Sequence, residues 1–274
     1  MLWKWAEAKM PQLNLFKVQT QKDLYKNSYQ QLDIVNSNRI KIIEDICLIE
    51  THEIKSQMKK ILERIEQLDN LKTMELCIAS VQSEANPKIV ARIVSKMKNF
   101  TLCKSGQRPP GEEHLLFPTN LRRNAGVDEN LLPAILREIA SNVDCKTELL
   151  NINVQGGYIL THVDPDLIGM AAAKLSAIET CDTGLTSAQA TRLFEAIAES
   201  KGKFGKLKLN NEEKLFSVRP KLLSEAVKQL KELNLTGPCF TDKQKSKIFQ
   251  AMQDDKIDLR KLSLSCEHIG DLLR

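Results

Sequence analysis

Apolar residues recur along this chain in a short pattern spaced Leu-x-x-Leu-x-Leu, with polar residues between them. Alternation over so few residues is typical of a β-strand that buries one of its two faces. The alternations lie at residues 43–48, 71–76, 97–102, 150–152, 175–180, 204–209, 230–235 and 259–264. Each of these stretches is therefore predicted to be a strand.

The segments between the strands carry apolar residues at helical spacing, and strand and helix repeat together. Successive strands in the second half of the chain are separated alternately by 29 and 26 residues. Longer stretches also repeat about 55 residues apart, so that Val163–Ile168 returns as Val218–Leu223 and Leu193–Ile197 returns as Ile248–Met252. One strand and one helix cannot bury their own apolar faces, so the units are expected to stack into a solenoid.

Prolines mark the start of alternate helices. Pro165 and Pro220 occupy equivalent positions and are predicted in the first helical turn, where the missing N–H has no partner to lose. Asp164 and Asn86 precede such prolines and are expected to cap their helices, whereas Arg219 cannot.

The predicted fold class is α/β, as a single repeat array over residues 40–274 preceded by an N-terminal helical cap or extension at 1–39. The strand spacing breaks after Leu102, where an insertion with several prolines and glycines is predicted at about 104–123. The sequence ends inside what would be the next half-repeat. Either another chain covers this end or the sequence is a fragment of a longer array.

The strand pattern, the alternation of 26 and 29 residues and the helix in each half-repeat resemble leucine-rich repeats. Ribonuclease inhibitor and the ligand-sensing arms of NOD-like receptors have the most similar repeats, and the resemblance covers about residues 40–274. It implies a horseshoe-shaped solenoid, with parallel strands on the concave face, helices on the convex face, and protein recognition on the concave face. The sequence departs from the family at Thr183 and Pro238, which replace the usual asparagine or cysteine, and at Thr180, which replaces a strand leucine.

Composition narrows the function classes. The net charge of +5 comes from 40 basic and 35 acidic residues that are mixed along the chain, so nucleic acid is not an expected partner. No apolar run reaches the roughly 18 to 20 residues of a membrane span, and no signal peptide is recognised. The seven cysteines are scattered, which favours reduced thiols and a cytoplasmic location.

No enzymatic or cofactor motif is found, and no enzyme, cofactor or metal is predicted. The sequence lacks a phosphate-binding G-x-x-x-x-G-K-[ST] loop, an HExxH and a G-x-S-x-G. His162, Asp164 and Asp166 are close enough to suggest a metal site, but the equivalent repeat has no acidic or histidine residue at these positions. Helix capping is the favoured interpretation.

Alternation predicts which strand side chains point away from the buried leucines, and these are the candidate partner-binding residues. They are Glu75, Thr101, Asn151, Glu179, Lys208, Asn234 and Ser263, with Asn153, Asn210, Thr236 and Ser265 one step beyond. A binding face and a merely solvated face remain alternatives.

The first hypothesis is a non-enzymatic scaffold that binds a protein partner of unknown identity through the concave face, as part of a regulatory or innate-immune-type receptor. The alternative is a cytoskeletal capping scaffold resembling the repeat domain of tropomodulin, with helices within residues 1–38 contacting a filament.

Overall fold

The computed structural model of the chain describes a series of strands and helices that alternate without exception. The described residues are 45–49, 58–68, 71–78, 85–104, 130–154, 159–181, 183–210, 215, 217–236, 241–252 and 258–264. The strands are β1 (Asp45–Ile49), β2 (Thr73–Ile78), β3 (Asn99–Lys104), β4 (Leu149–Asn153), β5 (Ala177–Cys181), β6 (Lys206–Asn210), β7 (Glu232–Thr236) and β8 (Lys261–Leu264). The helices are α1 (Met58–Ile65), α2 (Pro87–Lys96), α3 (Leu131–Ser141), α4 (Pro165–Ala172), α5 (Ser187–Glu199), α6 (Pro220–Val227) and α7 (Asp242–Met252).

All the strands belong to one parallel sheet, in which their order across the sheet is their order along the chain. Within the described residues, each crossover between neighbouring strands includes one helix, which is the usual connection between parallel strands. The predicted alternations share one register, so that their central apolar residues face one another as a row. This row is Ile46, Met74, Phe100, Leu150, Ile178, Leu207, Leu233 and Leu262. The predicted strands and their stacking are therefore confirmed.

The core lies between the sheet and the helices and runs through every described repeat from α1 onward. Leu207 and Leu233 in the strands, and Phe194 and Leu223 in the helices, are completely buried within one continuous cluster. Burying a side chain of this size contributes about 1.5 to 3 kcal/mol, but only when the neighbouring repeat supplies the other wall. Thr180 takes the place of a leucine in this core and is buried as well.

The starts of the proline-led helices follow the prediction. Pro87, Pro165 and Pro220 each occupy the first helical turn. Asn86 Oδ1 accepts hydrogen bonds from the N–H groups of Lys88 and Ile89, and Asp164 Oδ1 accepts one from the N–H of Asp166. Arg219 makes no side-chain capping bond, so α6 begins without the cap that its two counterparts have.

A buried glutamine joins α5 to the repeat before it, which the sequence did not predict. Gln189 and Thr186 form a reciprocal capping box, in which the Thr186 N–H donates to Gln189 Oε1 at 2.8 Å. Gln189 Nε2 also donates to the carbonyls of Leu160 and Val163, at 2.5 and 2.6 Å. The side chain therefore starts its own helix and fixes the turn that leads into α4.

Gln244 repeats this arrangement one full unit later. Its Oε1 accepts from the Thr241 N–H at 2.9 Å, and its Nε2 donates to the carbonyls of Leu215 and Val218 at 3.0 and 2.7 Å. The turn into α6 is thereby held by α7. We call Gln189 and Gln244 the bridging glutamines.

Two predicted segments lie outside the described residues. These are the N-terminal extension at 1–39 and nearly all of the insertion at about 104–123, of which Lys104 is the last residue of β3. The helix predicted after the insertion is present as α3.

Candidate binding face of the sheet

The seven predicted partner-binding residues form a single row across the sheet. Each is the register neighbour of the next, in the order Glu75, Thr101, Asn151, Glu179, Lys208, Asn234 and Ser263. All seven are half-buried. From β2 to β7 the residues on either side of them in the strands are buried in the core. Neighbouring strands are about 4.8 Å apart, so the row extends about 29 Å from β2 to β8.

A second row on the same face was missed in the sequence. It lies two residues before the first row in each strand and consists of Thr73, Asn99, Leu149, Ala177, Lys206, Glu232 and Lys261. The same period of two that predicts the first row predicts this one, but these residues come before the last two apolar residues of each alternation, and only the residue between those two was considered. The second row brings further charge to the face at Lys206, Glu232 and Lys261.

The residues predicted one step beyond the first row also lie on this face. Asn153, Asn210 and Thr236 end β4, β6 and β7, and the Thr236 hydroxyl donates to Asn210 Oδ1 at 2.6 Å. Ser265 lies outside the described residues. The three rows together are called the polar face below.

Glu179 is the centre of a charge cluster on the polar face. Its carboxylate lies 2.6 Å from Lys206 Nζ and 3.8 Å from Lys208 Nζ, and its side chain is only 15% exposed. The hydrogen bond to Glu179 raises the pKa of Lys206 above its usual value, and the Glu232 carboxylate adds to this effect. Lys206 therefore stays protonated and is held in place, while Lys208 at the longer distance is held more loosely.

Two side-chain oxygens associated with this face are buried and have no hydrogen-bond partner in the described part of the chain. They are Asn153 Oδ1 in the third row and Asn234 Oδ1 in the first. Buried polar atoms are nearly always paired, and leaving one unpaired costs about 1 to 3 kcal/mol.

The cysteines do not all follow the sequence expectation of reduced thiols. Cys145 and Cys181 carry no disulfide, but Cys103 at the end of β3 is disulfide-bonded. The expectation is therefore wrong at Cys103. Disulfides persist mainly in oxidising compartments, so this bond counts against the thiol argument for a cytoplasmic location.

The acidic residues near His162 have structural roles. Asp164 caps α4, Asp166 lies 2.7 Å from the Arg192 guanidinium on α5, and the His162 side chain is exposed. Among the described residues, no group of three histidine, cysteine or carboxylate side chains is arranged to hold a metal ion.

A shallow groove of about 310 Å³ lies between α5 and α6. Its carboxylates are largely engaged already, because Glu195 pairs with Arg192 at 2.9 Å and Glu225 lies 3.8 Å from Lys221. The polar face is the more extended candidate surface.

Comparison with known proteins gives no relative, since neither a protein-family model nor a curated protein matches this sequence. No helix in the described ranges has the length and apolar content needed to cross a membrane.

Proposed function

We propose that this chain is a non-enzymatic scaffold of the leucine-rich-repeat type, which binds a protein partner through the polar face of its sheet. The observation that carries the proposal is the continuity of the polar face, whose rows stay in register from β2 to β8. A surface of this kind offers hydrogen-bonding and charged groups from many repeats at once.

The proposal includes a horseshoe in which the polar face is concave. Helices pack about 8 to 10 Å apart, whereas paired strands are only about 4.8 Å apart. A stack with one helix and one strand in each unit therefore bends towards its strands. Bending places the polar face on the inside, where its residues converge on a partner.

The size of the face indicates how much of a partner it can hold. Seven strands of about five residues cover on the order of 500 Å², at about 3.3 Å per residue and 4.8 Å per strand. One side of a standard protein–protein interface buries about 800 Å². We therefore expect contacts to extend from the polar face to the loops at the strand ends.

Affinity capture from a lysate of the source cells tests this proposal. The face variant combines Glu179→Arg, Lys208→Glu and Asn234→Tyr. The matched control makes the same kinds of change on the helices, with Glu225→Arg, Lys221→Glu and Gln250→Tyr, all at exposed positions. Circular dichroism and thermal unfolding first establish that both variants are folded.

The expected result is a protein retained by the parent and by the control but lost by the face variant. Retention of the same protein by all three chains would place its binding site elsewhere and contradict the proposal.

A further inference from the structure

Cys103 on β3 forms a disulfide bond, and the contacts of its sulfur indicate which strand holds the partner. The side chain is buried, with 7% of its surface exposed. Cys103 Sγ lies 3.6 Å from the carbonyl oxygen of Leu76 and 3.4 Å from Glu75 Oε1, and both of these residues are on β2. The sulfur is therefore directed towards β2 and not towards β4.

The register of the sheet places a cysteine at this point of β2. Cys77 is the Cα partner of Cys103, whereas the partner of Cys103 on β4 is Asn153. Register partners on neighbouring strands lie on the same face of a sheet, about 4.8 Å apart. A disulfide joins Cα atoms that are about 4.4 to 6.8 Å apart. Cys77 and Cys103 therefore meet this requirement without any movement of the strands.

Three further cysteines at described backbone positions are excluded as partners. Cys145 and Cys181 carry no disulfide. Cys47 on β1 is the register partner of Glu75, so it lies two strand spacings, or about 10 Å, from β3. This separation exceeds the length that a disulfide can bridge.

Cys239 and Cys266 lie outside the described residues and are excluded by the reach of the chain. Thr236 on β7 and Leu264 on β8 are the nearest described residues before them, and these strands are four and five spacings from β3, or roughly 19 and 24 Å. The three and two residues that follow cover at most about 11 and 7 Å when fully extended. Gaps of about 8 and 17 Å therefore remain, which are too long for a disulfide.

We infer that Cys77 is the partner of Cys103, and that the protein acquires a disulfide that joins β2 to β3 in register with Asn153 of the third row. The bond closes residues 77–103, which contain α2, into a loop. A cross-link of this kind stabilises a fold by restricting the unfolded chain.

The bond lies where the array is least constrained by its connections. β3 ends at Lys104 and β4 begins at Leu149, which is the longest crossover between neighbouring strands of the described sheet. A longer connection holds its two strands together less effectively, because the entropic cost of closing a loop grows with its length. A covalent link from β3 to β2 compensates for this, and it keeps Glu75 and Thr101 of the first row in register.

The bond forms by exchange with a disulfide oxidant, which is either a small molecule or another protein. The thiolate of one cysteine attacks a sulfur of the oxidant, which gives a mixed disulfide and releases one thiol of the oxidant. The thiolate of the other cysteine then attacks the first cysteine sulfur and releases the second thiol. The cysteine pair loses two protons and two electrons, and the oxidant is reduced to two thiols.

Peptide mapping without reduction tests the inference. The full chain is expressed with an affinity tag in its source cells, and iodoacetamide blocks free thiols during lysis. Trypsin cleaves at lysines between the two cysteines, so that they fall on separate peptides, residues 73–88 and 99–104. The expected result is a linked pair of these two peptides, which separates on reduction. The inference is overturned if Cys103 is alkylated or is linked to a different cysteine.

Urea unfolding with and without dithiothreitol measures what the bond contributes. Cys77→Ser is the test variant. Cys181→Ser is the matched control, because it replaces a free cysteine two strands further along the same row.

Dithiothreitol is expected to lower the unfolding midpoint of the parent and of the control by about 1 M urea. It is expected to leave the midpoint of Cys77→Ser unchanged, because this variant has no bond to reduce. A shift in Cys77→Ser as large as that in the parent would contradict the pairing. Should Cys77→Ser not fold, the linked peptide of the parent still decides between the outcomes.

Discussion

Gln189 is almost fully buried, and its side-chain amide is hydrogen-bonded to three backbone groups on two different repeats. Its oxygen accepts from the Thr186 N–H, and its nitrogen donates to the carbonyls of Leu160 and Val163. Gln244 is buried to the same degree and makes the equivalent contacts. One side chain thus satisfies backbone groups that have no partner within a regular helix or strand.

Replacing either bridging glutamine with leucine is expected to lower the free energy of unfolding by about 2 to 4 kcal/mol. Leucine keeps a similar volume but removes all three hydrogen bonds, and it leaves one carbonyl (that of Val163 or Val218) and one N–H (that of Thr186 or Thr241) without a partner. The Leu160 and Leu215 carbonyls still accept from the N–H groups of Val163 and Val218. Urea denaturation measures the change. Gln250→Leu at an exposed position of α7 is the control and is expected to change stability by less than about 0.5 kcal/mol. Bridging-glutamine variants as stable as this control would contradict the role assigned to these residues.

Glu66 and Arg92 make the clearest pH-dependent contact, between the end of α1 and α2. The guanidinium of Arg92 donates to both Glu66 oxygens, and this hydrogen bond lowers the pKa of the Glu66 carboxyl. A carboxyl with a lowered pKa in the folded state contributes stability above its unfolded pKa. That contribution is lost as the pH falls through the folded value.

Glu66→Gln is therefore expected to be less stable than the parent at pH 7, by at most about 1 kcal/mol because the Arg92 side chain is half exposed. The difference should disappear towards pH 2 to 3, when the parent carboxyl is protonated too. Unfolding free energies of the two proteins measured from pH 7 down to pH 3 check this. A difference that grows as the pH falls would show that the pair does not stabilise the fold.

At the scale of the elements, α2, α4 and α6 are equivalent helices that all begin with proline and differ in the N-cap residue before it. Asn86 and Asp164 cap two of them, and Arg219 leaves the third without a side-chain cap. Arg219→Asn supplies the missing side-chain cap and is expected to stabilise the protein by about 0.5 to 1 kcal/mol. Asp164→Ala removes an existing cap and is expected to destabilise the protein by about 1 kcal/mol. Thermal and urea unfolding measure both. A loss of stability in Arg219→Asn would show that Arg219 makes a contact that contributes more to the free energy of unfolding than the cap does.

The strands were predictable because their signal is local. The alternation at Leu207 and Leu209 specifies a buried face by itself, and the repeat spacing specifies which strands are neighbours. The proline-led helix starts were predictable for the same reason.

The bridging glutamines and the unpaired Asn234 oxygen were not predictable. A glutamine three residues after a threonine predicts a capping box, but its contact with Leu160 depends on how two repeats stack. Burial of one Asn234 atom likewise depends on neighbouring strands that are distant in sequence. The second row was missed for a simpler reason, because only residues between the leucines were considered.

At the scale of the molecule, each repeat contacts its neighbours in sequence. The polar face is formed by residues from all of these strands together, and no strand forms it alone. No single repeat carries the charge pattern of Glu179, Lys206 and Lys208, which come from two strands. A recognition surface of this kind depends on the register of the whole array.

The most direct test of the account is therefore a set of distances along the first row. Spin labels are introduced in three pairs of positions, Glu75 with Glu179, Glu75 with Lys208 and Glu75 with Ser263. The labels are attached to noncanonical side chains, so that the native cysteines need not be replaced. These pairs are separated by three, four and six strand spacings.

Pulsed electron paramagnetic resonance is expected to give distances that increase in this order. For a flat sheet at about 4.8 Å per strand they are near 14, 19 and 29 Å. If the polar face is concave, the measured distances fall below these values, and the shortfall grows with the number of strands between the labels. A Glu75–Ser263 distance no longer than the Glu75–Lys208 distance would contradict a single in-register array, and with it the polar face as a binding surface.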